Sequence, residues 1–235
     1  MINEIAKMID HSILHPTFTD ADLIKNCEIA KKYNVATVCV KPYHVKMAAE
    51  AIKGSDVGVC AVIGFPHGNS TIEIKKAEAL QVIMDGAKEV DMVINIGKVL
   101  QHDWKYINNE LNEINSLVVA GKAILKVIFE TDFITGDDDK IMLCQLCNDN
   151  NVAYVKTSTG YGFVKNKDGQ YNYLGATEHD LILMRKYCKP EIQIKAAGGI
   201  RTLDQILKVR ELGVTRVGAT ATETIIEEAG RRYPE

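Results

Sequence analysis

The sequence predicts a single (β/α)8 barrel, or TIM barrel, that spans residues 1–235 as one domain. Short apolar runs alternate along the chain with amphipathic helical stretches, a pattern typical of parallel sheets built from βαβ units. The length of 235 residues also suits this fold, which typically takes about 250 residues. A doubly wound open sheet is the main alternative, but it would usually have fewer strands and a glycine-rich turn after the first.

Eight segments have the composition of buried strands. They lie near Ile9–Ile13, Thr37–Lys41, Val57–Gly64, Glu89–Asn95, Ile124–Phe129, Ala153–Thr157, Ile192–Ala196 and Arg216–Gly218. The first departs most from an apolar strand, because Asp10 and His11 interrupt it. Eight strands in strict alternation with helices favour a closed barrel over an open sheet.

Helix start signals lie in the connections between these segments. Thr19 predicts an N-cap for a helix over Leu23–Tyr33, since a side-chain oxygen can accept from the free amides of the first turn. Asn69 or Ser70 is predicted to cap a helix over Thr71–Met84. The acidic run Asp137–Asp139 is predicted to begin a helix, where carboxylates favour the positive end of the dipole, although it could also bind a metal.

Composition and charge exclude several classes of protein. A net charge of −3 argues against a non-specific nucleic-acid binder, which would normally be basic. No apolar run approaches the roughly 18 residues of a membrane helix, and the first residues lack the pattern of a secretory signal. We therefore expect a cytoplasmic protein that binds neither nucleic acid nor membrane.

The cysteines and histidines predict no metal centre. Cys144 and Cys147 form a CxxC, but they lie in an apolar helical stretch, and no second CxxC completes a zinc site. We therefore expect the six cysteines to be free thiols, mostly buried. The six histidines are scattered.

Four predicted strands contain charged residues where a barrel core should be apolar. These residues are Asp91, Lys126, Lys156 and Lys195, on the fourth to the seventh strand. One of them alone could be a strand end that reaches solvent. Because buried charges must be paired, neutralised or functional, four on consecutive strands predict a shared polar centre at the carboxyl ends of the strands.

The residue types indicate the chemistry of this centre. Two neighbouring lysines, Lys156 and Lys195, repel each other as ammonium groups, and burial further disfavours charge. One of them should therefore be partly neutral near pH 7, and a neutral amine attacks a carbonyl to form a Schiff base. Asp91 is the best-placed carboxylate to move protons during that reaction.

Two glycine-containing segments suggest a phosphate site. Gly198 and Gly199 follow the seventh strand, and Gly218 and Thr220 end the eighth just before a helix. Backbone amides and a helix N-terminus favour an anion at this place in the fold. Simple tight turns are the alternative interpretation.

Several segments resemble the deoxyribose-phosphate aldolases, in the same order and from about Ile9 to about Gly230. They are Asp10–Ser12, Val38–Val40, Val62–Pro66, Glu89–Asn95, Lys156–Gly160 and Lys195–Thr202. The two lysine segments together are highly specific to that family.

The resemblance implies reversible cleavage of 2-deoxyribose 5-phosphate into acetaldehyde and glyceraldehyde 3-phosphate, with no metal or cofactor, by an enzyme that is often a homodimer. Lys156 would form the Schiff base, Lys195 would favour its neutral amine, and Asp91 would relay protons. The other implied contacts with the sugar phosphate and aldehyde substrates are Ser12, Cys39, Lys126, Gly160, Gly198, Gly199, Gly218 and Thr220.

The chain departs from that family beside the phosphate site. Relatives usually carry a serine at the position of Ala197 and two serines at Thr220 and Ala221, and they lack the insertion near Val164–Leu174. Lys165 could bind the phosphate in place of the lost hydroxyls, as could Lys167, or both could be solvated loop residues. An aldolase for another sugar phosphate and a non-catalytic sugar-phosphate sensor are therefore alternatives.

Overall fold

The computed structural model describes residues 1–234 and contains a closed barrel of eight parallel strands. The described residues contain ten strands in all: β1 (Ile9–Ile13), β2 (Thr37–Val40), β3 (Gly58–Ile63), β4 (Glu89–Val93), β5 (Ile124–Ile128), β6 (Tyr154–Lys156), β7 (Val164–Lys165), β8 (Tyr171–Asn172), β9 (Gln193–Ala197) and β10 (Arg216–Ala219). The order around the barrel is β1-β2-β3-β4-β5-β6-β9-β10, and β10 pairs with β1 to close it. The short strands β7 and β8 form a separate antiparallel hairpin.

Helices occupy the connections between the barrel strands. They are α1 (Ile2–Ala6), α2 (Asp20–Lys32), α3 (Val45–Ala51), α4 (Ile72–Met84), α5 (Ile96–Leu100), α6 (Trp104–Ala120), α7 (Asp137–Asp149), α8 (Glu178–Tyr187), α9 (Leu203–Glu211) and α10 (Thr222–Arg232). A single 3-10 turn, Pro42–His44, precedes α3. None of the helices among the described residues is long and apolar enough to cross a membrane.

The predicted barrel is confirmed, and each strand ends within two residues of its expected position. Thr19 caps α2, as predicted, by accepting a hydrogen bond from the amide of Asp22. The prediction for the cap of α4 was wrong, because Thr71 itself accepts from the amide of Ile74. The β7–β8 hairpin was not predicted, since its polar sequence indicates a loop.

The barrel strands are buried on both faces, because helices cover the outside and side chains fill the interior. The apolar core runs between the barrel and the helices; on α6, for example, Ile107, Leu111 and Ile114 are fully buried. Cys144 and Cys147 lie buried on α7 as free thiols, which confirms their predicted state. The charged side chains inside the barrel are therefore shielded from solvent.

Candidate active site

The four charged strand residues meet inside the barrel. Asp91 on β4 is the register partner of Lys126 on β5, and Lys156 on β6 is the partner of Lys195 on β9. Asp91 accepts hydrogen bonds from the amines of all three lysines, at 2.8 Å from Lys126, 2.7 Å from Lys156 and 2.8 Å from Lys195. All four side chains are buried, so one carboxylate joins three amines at the predicted polar centre.

Three further charged residues complete this network. Asp10 on β1 contacts the amine of Lys195 at 2.5 Å and Arg216 on β10 at 2.6 Å. Glu89, at the start of β4, contacts Lys126 at 2.6 Å and Arg216 at 2.9 Å. The hydroxyl of Thr37 donates to Asp10 at 2.7 Å. The network thus joins charged side chains from β1, β4, β5, β6, β9 and β10.

Ion pairing within the network keeps most of its members charged. Burial alone would raise the pKa of Asp91, but the lysine ammonium groups hold it well below the usual range. The pKa of Asp10 is lowered against burial in the same way, chiefly by Lys126 and Lys195. Conversely, Asp10 and Asp91 raise the pKa values of Lys126 and Lys195, although burial would lower them. Both carboxylates and these two amines are therefore ionised at neutral pH.

Lys156 differs from the other two lysines in its pairing. Among residues 1–234, Asp91 is the only carboxylate within 4.0 Å of its amine. Lys195 has two such partners and Lys126 has three, including a longer contact of 3.5 Å to Asp10. The network also holds four basic groups and only three carboxylates. The amine of Lys156 has the fewest ion pairs of the three lysine amines.

A cavity of about 760 Å3 opens above this network. Its lining residues come from β1, from β10 and from the loops that follow β1, β6, β9 and β10: Ser12, Leu14, His15, Pro16, Thr17, Phe18, Thr159, Gly160, Tyr161, Phe163, Tyr173, Gly198, Gly199, Ile200, Arg201, Gly218, Ala219 and Thr220. Gly218 separates it from the lysines, because a Cβ there would lie 3.6 Å from Cε of Lys195. The side chain of Lys195 thus packs against a residue that lines the cavity.

The glycines of the cavity are required by the backbone. Gly160, Gly198 and Gly199 have φ angles of 83°, 88° and 86°, in the left-handed region that other residues rarely adopt. Helix α10 begins just beyond Thr220, so its free amides and positive dipole end lie beside the same wall. Together these features form a site that favours an anion.

Known proteins are similar to this chain along nearly its whole length. Residues 4–219 match the model of a family described as DeoC/LacD family aldolase. A protein of Rhodopirellula baltica named deoxyribose-phosphate aldolase is 45% identical over 230 residues, which cover 98% of this chain and 91% of that one.

The chain belongs to the DeoC/LacD aldolase family. It is therefore a carbon–carbon lyase. The solved structure of QR15, titled an aldolase, has a TM-score of 0.87 at 30% identity and covers 97% of both chains. The deoxyribose phosphate aldolase of Aeropyrum pernix, at 24% identity, shares the fold with a TM-score of 0.86, covering 99% of this chain and 94% of that one.

The predicted substrate contacts fall into two groups, those that line the cavity and those that do not. Ser12, Gly160, Gly198, Gly199, Gly218 and Thr220 line the cavity. Cys39 and Lys126 do not line it, because both are fully buried among the neighbouring strands. Lys126 instead contacts Glu89, Asp91 and the thiol of Cys60.

Sequence reasoning missed several members of the site. Asp10 had a signal, since it interrupts an otherwise apolar strand. Glu89 and Arg216 were seen only as the first residues of strands, yet both side chains reach the interior. Arg201, two residues before the start of α9, lines the cavity and adds a positive charge to its anion-favouring wall.

The insertion forms the β7–β8 hairpin at the mouth of the cavity. Lys165 and Lys167 are exposed on it and do not line the cavity, whereas the aromatic rings of Phe163 and Tyr173 do. The two rings pack edge to face with centroids 5.3 Å apart. Asp132, beyond β5, accepts from the amide of Gly175 at 3.0 Å and holds the end of the hairpin. Tyr173 of the insertion and Phe163, just before it, therefore form an aromatic wall of the cavity.

Cys39, Cys60 and Asp91 have ligand atoms within 4.8 Å of one another, a spacing that could hold a metal ion. The oxygens of Asp91 already accept from three amines, and two of these amines stay protonated. A metal cation at this place would be repelled by them.

Proposed function

We propose that this aldolase cleaves 2-deoxy-D-ribose 5-phosphate reversibly into acetaldehyde and D-glyceraldehyde 3-phosphate through a Schiff base on Lys156. The pairing of Lys156 carries this proposal, because its amine has the fewest ion pairs of the three lysine amines. The names of the relatives support the substrate.

The neutral amine of Lys156 attacks the aldehyde carbon of the open-chain sugar, and the resulting carbinolamine loses water to give an iminium. Removal of the proton from the hydroxyl on the third carbon then breaks the bond between the second and third carbons. Glyceraldehyde 3-phosphate leaves, and the bonding electrons form an enamine. Protonation of the enamine and addition of water release acetaldehyde and restore the amine.

Asp91 and Lys195 supply the proton movements in this proposal. The amines of Lys156 and Lys195 bind the same oxygen of Asp91, Oδ2, so all three groups are close to the reacting nitrogen. The ionised carboxylate stabilises the iminium, and the ammonium of Lys195 can donate a proton to the leaving water of the carbinolamine. Lys126 and Asp10 hold Asp91 and Lys195 in position through the contacts described above.

The phosphate end of the substrate lies in the proposal against Gly160, Gly198, Gly199 and the start of α10. Arg201 supplies a positive charge there. This charge remains although Ala197 and Ala221 lack the serine hydroxyls that relatives usually carry. The aromatic wall of the hairpin favours a second candidate, an aldolase of the same mechanism for another phosphorylated sugar, since it changes the shape of the cavity mouth.

A retro-aldol assay across a panel of pentose and hexose phosphates tests the proposal. We expect 2-deoxyribose 5-phosphate to have the highest kcat/KM. A higher value for another sugar phosphate would replace the substrate and leave the mechanism intact. The predicted cytoplasmic homodimer is part of the proposal; light scattering after size exclusion measures its mass.

A further inference from the structure

Glu130 is a buried carboxylate that the proposed mechanism does not use. It lies two residues beyond β5, is fully buried, and has a φ angle of 59°, in the left-handed region that is costly for a residue with a side chain. Among residues 1–234, no lysine, arginine or histidine nitrogen lies within 4.0 Å of it. Burial and backbone strain make a carboxylate without an ion pair costly at this position, so its other contacts must account for its presence.

The partners of Glu130 lie in the loop that follows Lys156. The amide of Thr159 donates to both of its oxygens at 3.3 Å, and the hydroxyl of Thr159 donates to Oε2. The oxygen of that hydroxyl accepts in turn from the amide of Tyr161, at 2.9 Å. A Cβ at Gly162 would lie 2.8 Å from Cδ of Glu130, so the next turn of the loop packs directly on the carboxylate.

These contacts end at the cavity. Thr159, Gly160 and Tyr161 all line it, and Gly160 lies between the two amides that the chain of hydrogen bonds fixes. An ionised carboxylate can only accept, so the hydroxyl of Thr159 must point at Glu130 and leave its lone pairs to Tyr161. A neutral acid could donate to Thr159 and reverse this order.

We propose that Glu130 is a positioning residue whose carboxylate fixes the segment Thr159–Tyr161 and thereby sets the affinity for the phosphate end of the substrate. The inference rests on the proposed function for the identity of that substrate. The inference extends the proposed function, because it assigns the geometry of the segment Thr159–Tyr161 to a residue that touches neither the phosphate nor the reacting carbons.

The charge of Glu130 varies in the physiological range. Burial raises its pKa to about 7; hydrogen bonds from Thr159 oppose the rise, and the charge of Asp132 adds to it. The carboxylate form is therefore present above pH 7 and is lost as the pH falls through that value. The KM for a phosphorylated substrate should rise over the same interval.

The experiment compares Glu130→Gln, which keeps the shape and removes the charge, with Thr159→Val and Thr159→Ser. Kinetics are measured between pH 6 and 8.5 with 2-deoxyribose 5-phosphate and with free 2-deoxyribose. Since a hydrogen bond to a charged group is strong, we expect Glu130→Gln to raise KM for the phosphorylated sugar at pH 8 about tenfold, or about 1.4 kcal/mol. Its kcat and the KM for the free sugar should change less than about threefold.

Thr159→Val should reproduce this split, and Thr159→Ser should restore most of the affinity. In Glu130→Gln, the rise of KM below pH 7 should shrink to the part that comes from the phosphate of the substrate itself, which has a pKa near 6. Glu110→Gln is the matched control, because it removes another buried carboxylate, paired with Lys75 and remote from the cavity. It should lower thermal stability without changing either KM.

An equal rise of KM for both sugars, or a loss confined to kcat, would overturn the positioning role. Unchanged kinetics in Glu130→Gln would overturn it as well. Borohydride trapping of acetaldehyde on Lys156 is measured in parallel in every variant. Trapping without the KM split refutes the inference alone, whereas absence of trapping in the unmodified enzyme refutes the proposed function.

Discussion

Replacing Lys195 by leucine removes one of the two amines that bind Oδ2 of Asp91. The change should leave no orphaned charge, because Asp10 keeps Arg216 at 2.6 Å and the hydroxyl of Thr37 at 2.7 Å. Three basic groups would then face three carboxylates, and the balance that favours a neutral Lys156 would be gone. We expect the fold to persist and the activity at neutral pH to fall.

The size of the effect follows from the geometry. Distances of 2.7 Å and 2.8 Å from the shared oxygen place the amines of Lys156 and Lys195 at most about 5.5 Å apart. With an effective dielectric constant of about 20, two unit charges at that separation repel by about 3 kcal/mol. Loss of this repulsion should lower the neutral fraction of Lys156, and with it kcat/KM at pH 7, on the order of a hundredfold.

The assay is the pH profile of kcat/KM for retro-aldol cleavage, measured for both proteins from pH 6 to 10. The variant should recover as the pH rises, since alkali removes the proton from Lys156 without help from Lys195. Lys140→Met is the control: this buried lysine on α7 pairs with Asp180 at 2.5 Å, away from the cavity. It should lose stability and keep the profile of the unmodified enzyme.

Full activity of Lys195→Leu at pH 7 would refute the reasoning. So would a loss that alkaline pH does not relieve, because the whole effect would then come from the proton that Lys195 donates to the carbinolamine and none from its repulsion of Lys156. Thermal unfolding of each variant separates these results from a loss of folded protein.

Three further predictions follow from the site. Sodium borohydride with acetaldehyde should leave an adduct on Lys156 in peptide mass spectrometry, and Lys156→Ala should lose almost all activity; an adduct solely on Lys126 or Lys195 would contradict the assignment. EDTA should not change the activity, because the iminium is the electrophile; loss that zinc restores would exclude the Schiff-base mechanism. Ala221→Ser should stabilise α10 by about 1 kcal/mol, because the N-cap residue of this helix makes no side-chain hydrogen bond. It should also lower the KM for phosphorylated substrate but not for free 2-deoxyribose. An unchanged Tm and KM would show that the added hydroxyl binds neither the helix amides nor the phosphate.

Local patterns in the chain were sufficient to predict the barrel and the centre of its site. The alternation of apolar strands with amphipathic helices is repeated at every βαβ unit, so no long-range contact is needed to recognise it. Asp91, Lys126, Lys156 and Lys195 were conspicuous because a charge in a strand buried on both faces is costly. Parallel strands then bring such residues to one end of the barrel.

The pairing of those charges depended on closure of the barrel. Asp10 and Lys195 are separated by 185 positions, and they meet only because β10 lies between β1 and β9. No local pattern in the sequence predicts that the amine of Lys156 has one carboxylate partner and that of Lys126 has three. This difference distinguishes Lys156 from the neighbouring lysines.

The walls of the cavity were also decided in three dimensions. The insertion has the polar, turn-forming composition of a loop, and its folding as a hairpin brings Tyr173 beside Phe163 at the cavity. Glu130 follows one strand and its partner Thr159 follows the next, so neither residue indicates the other along the chain. The sequence by itself thus determined the fold and the reacting groups, whereas tertiary contacts decided their charge states and the shape of the site, because both depend on distances between segments remote in the chain.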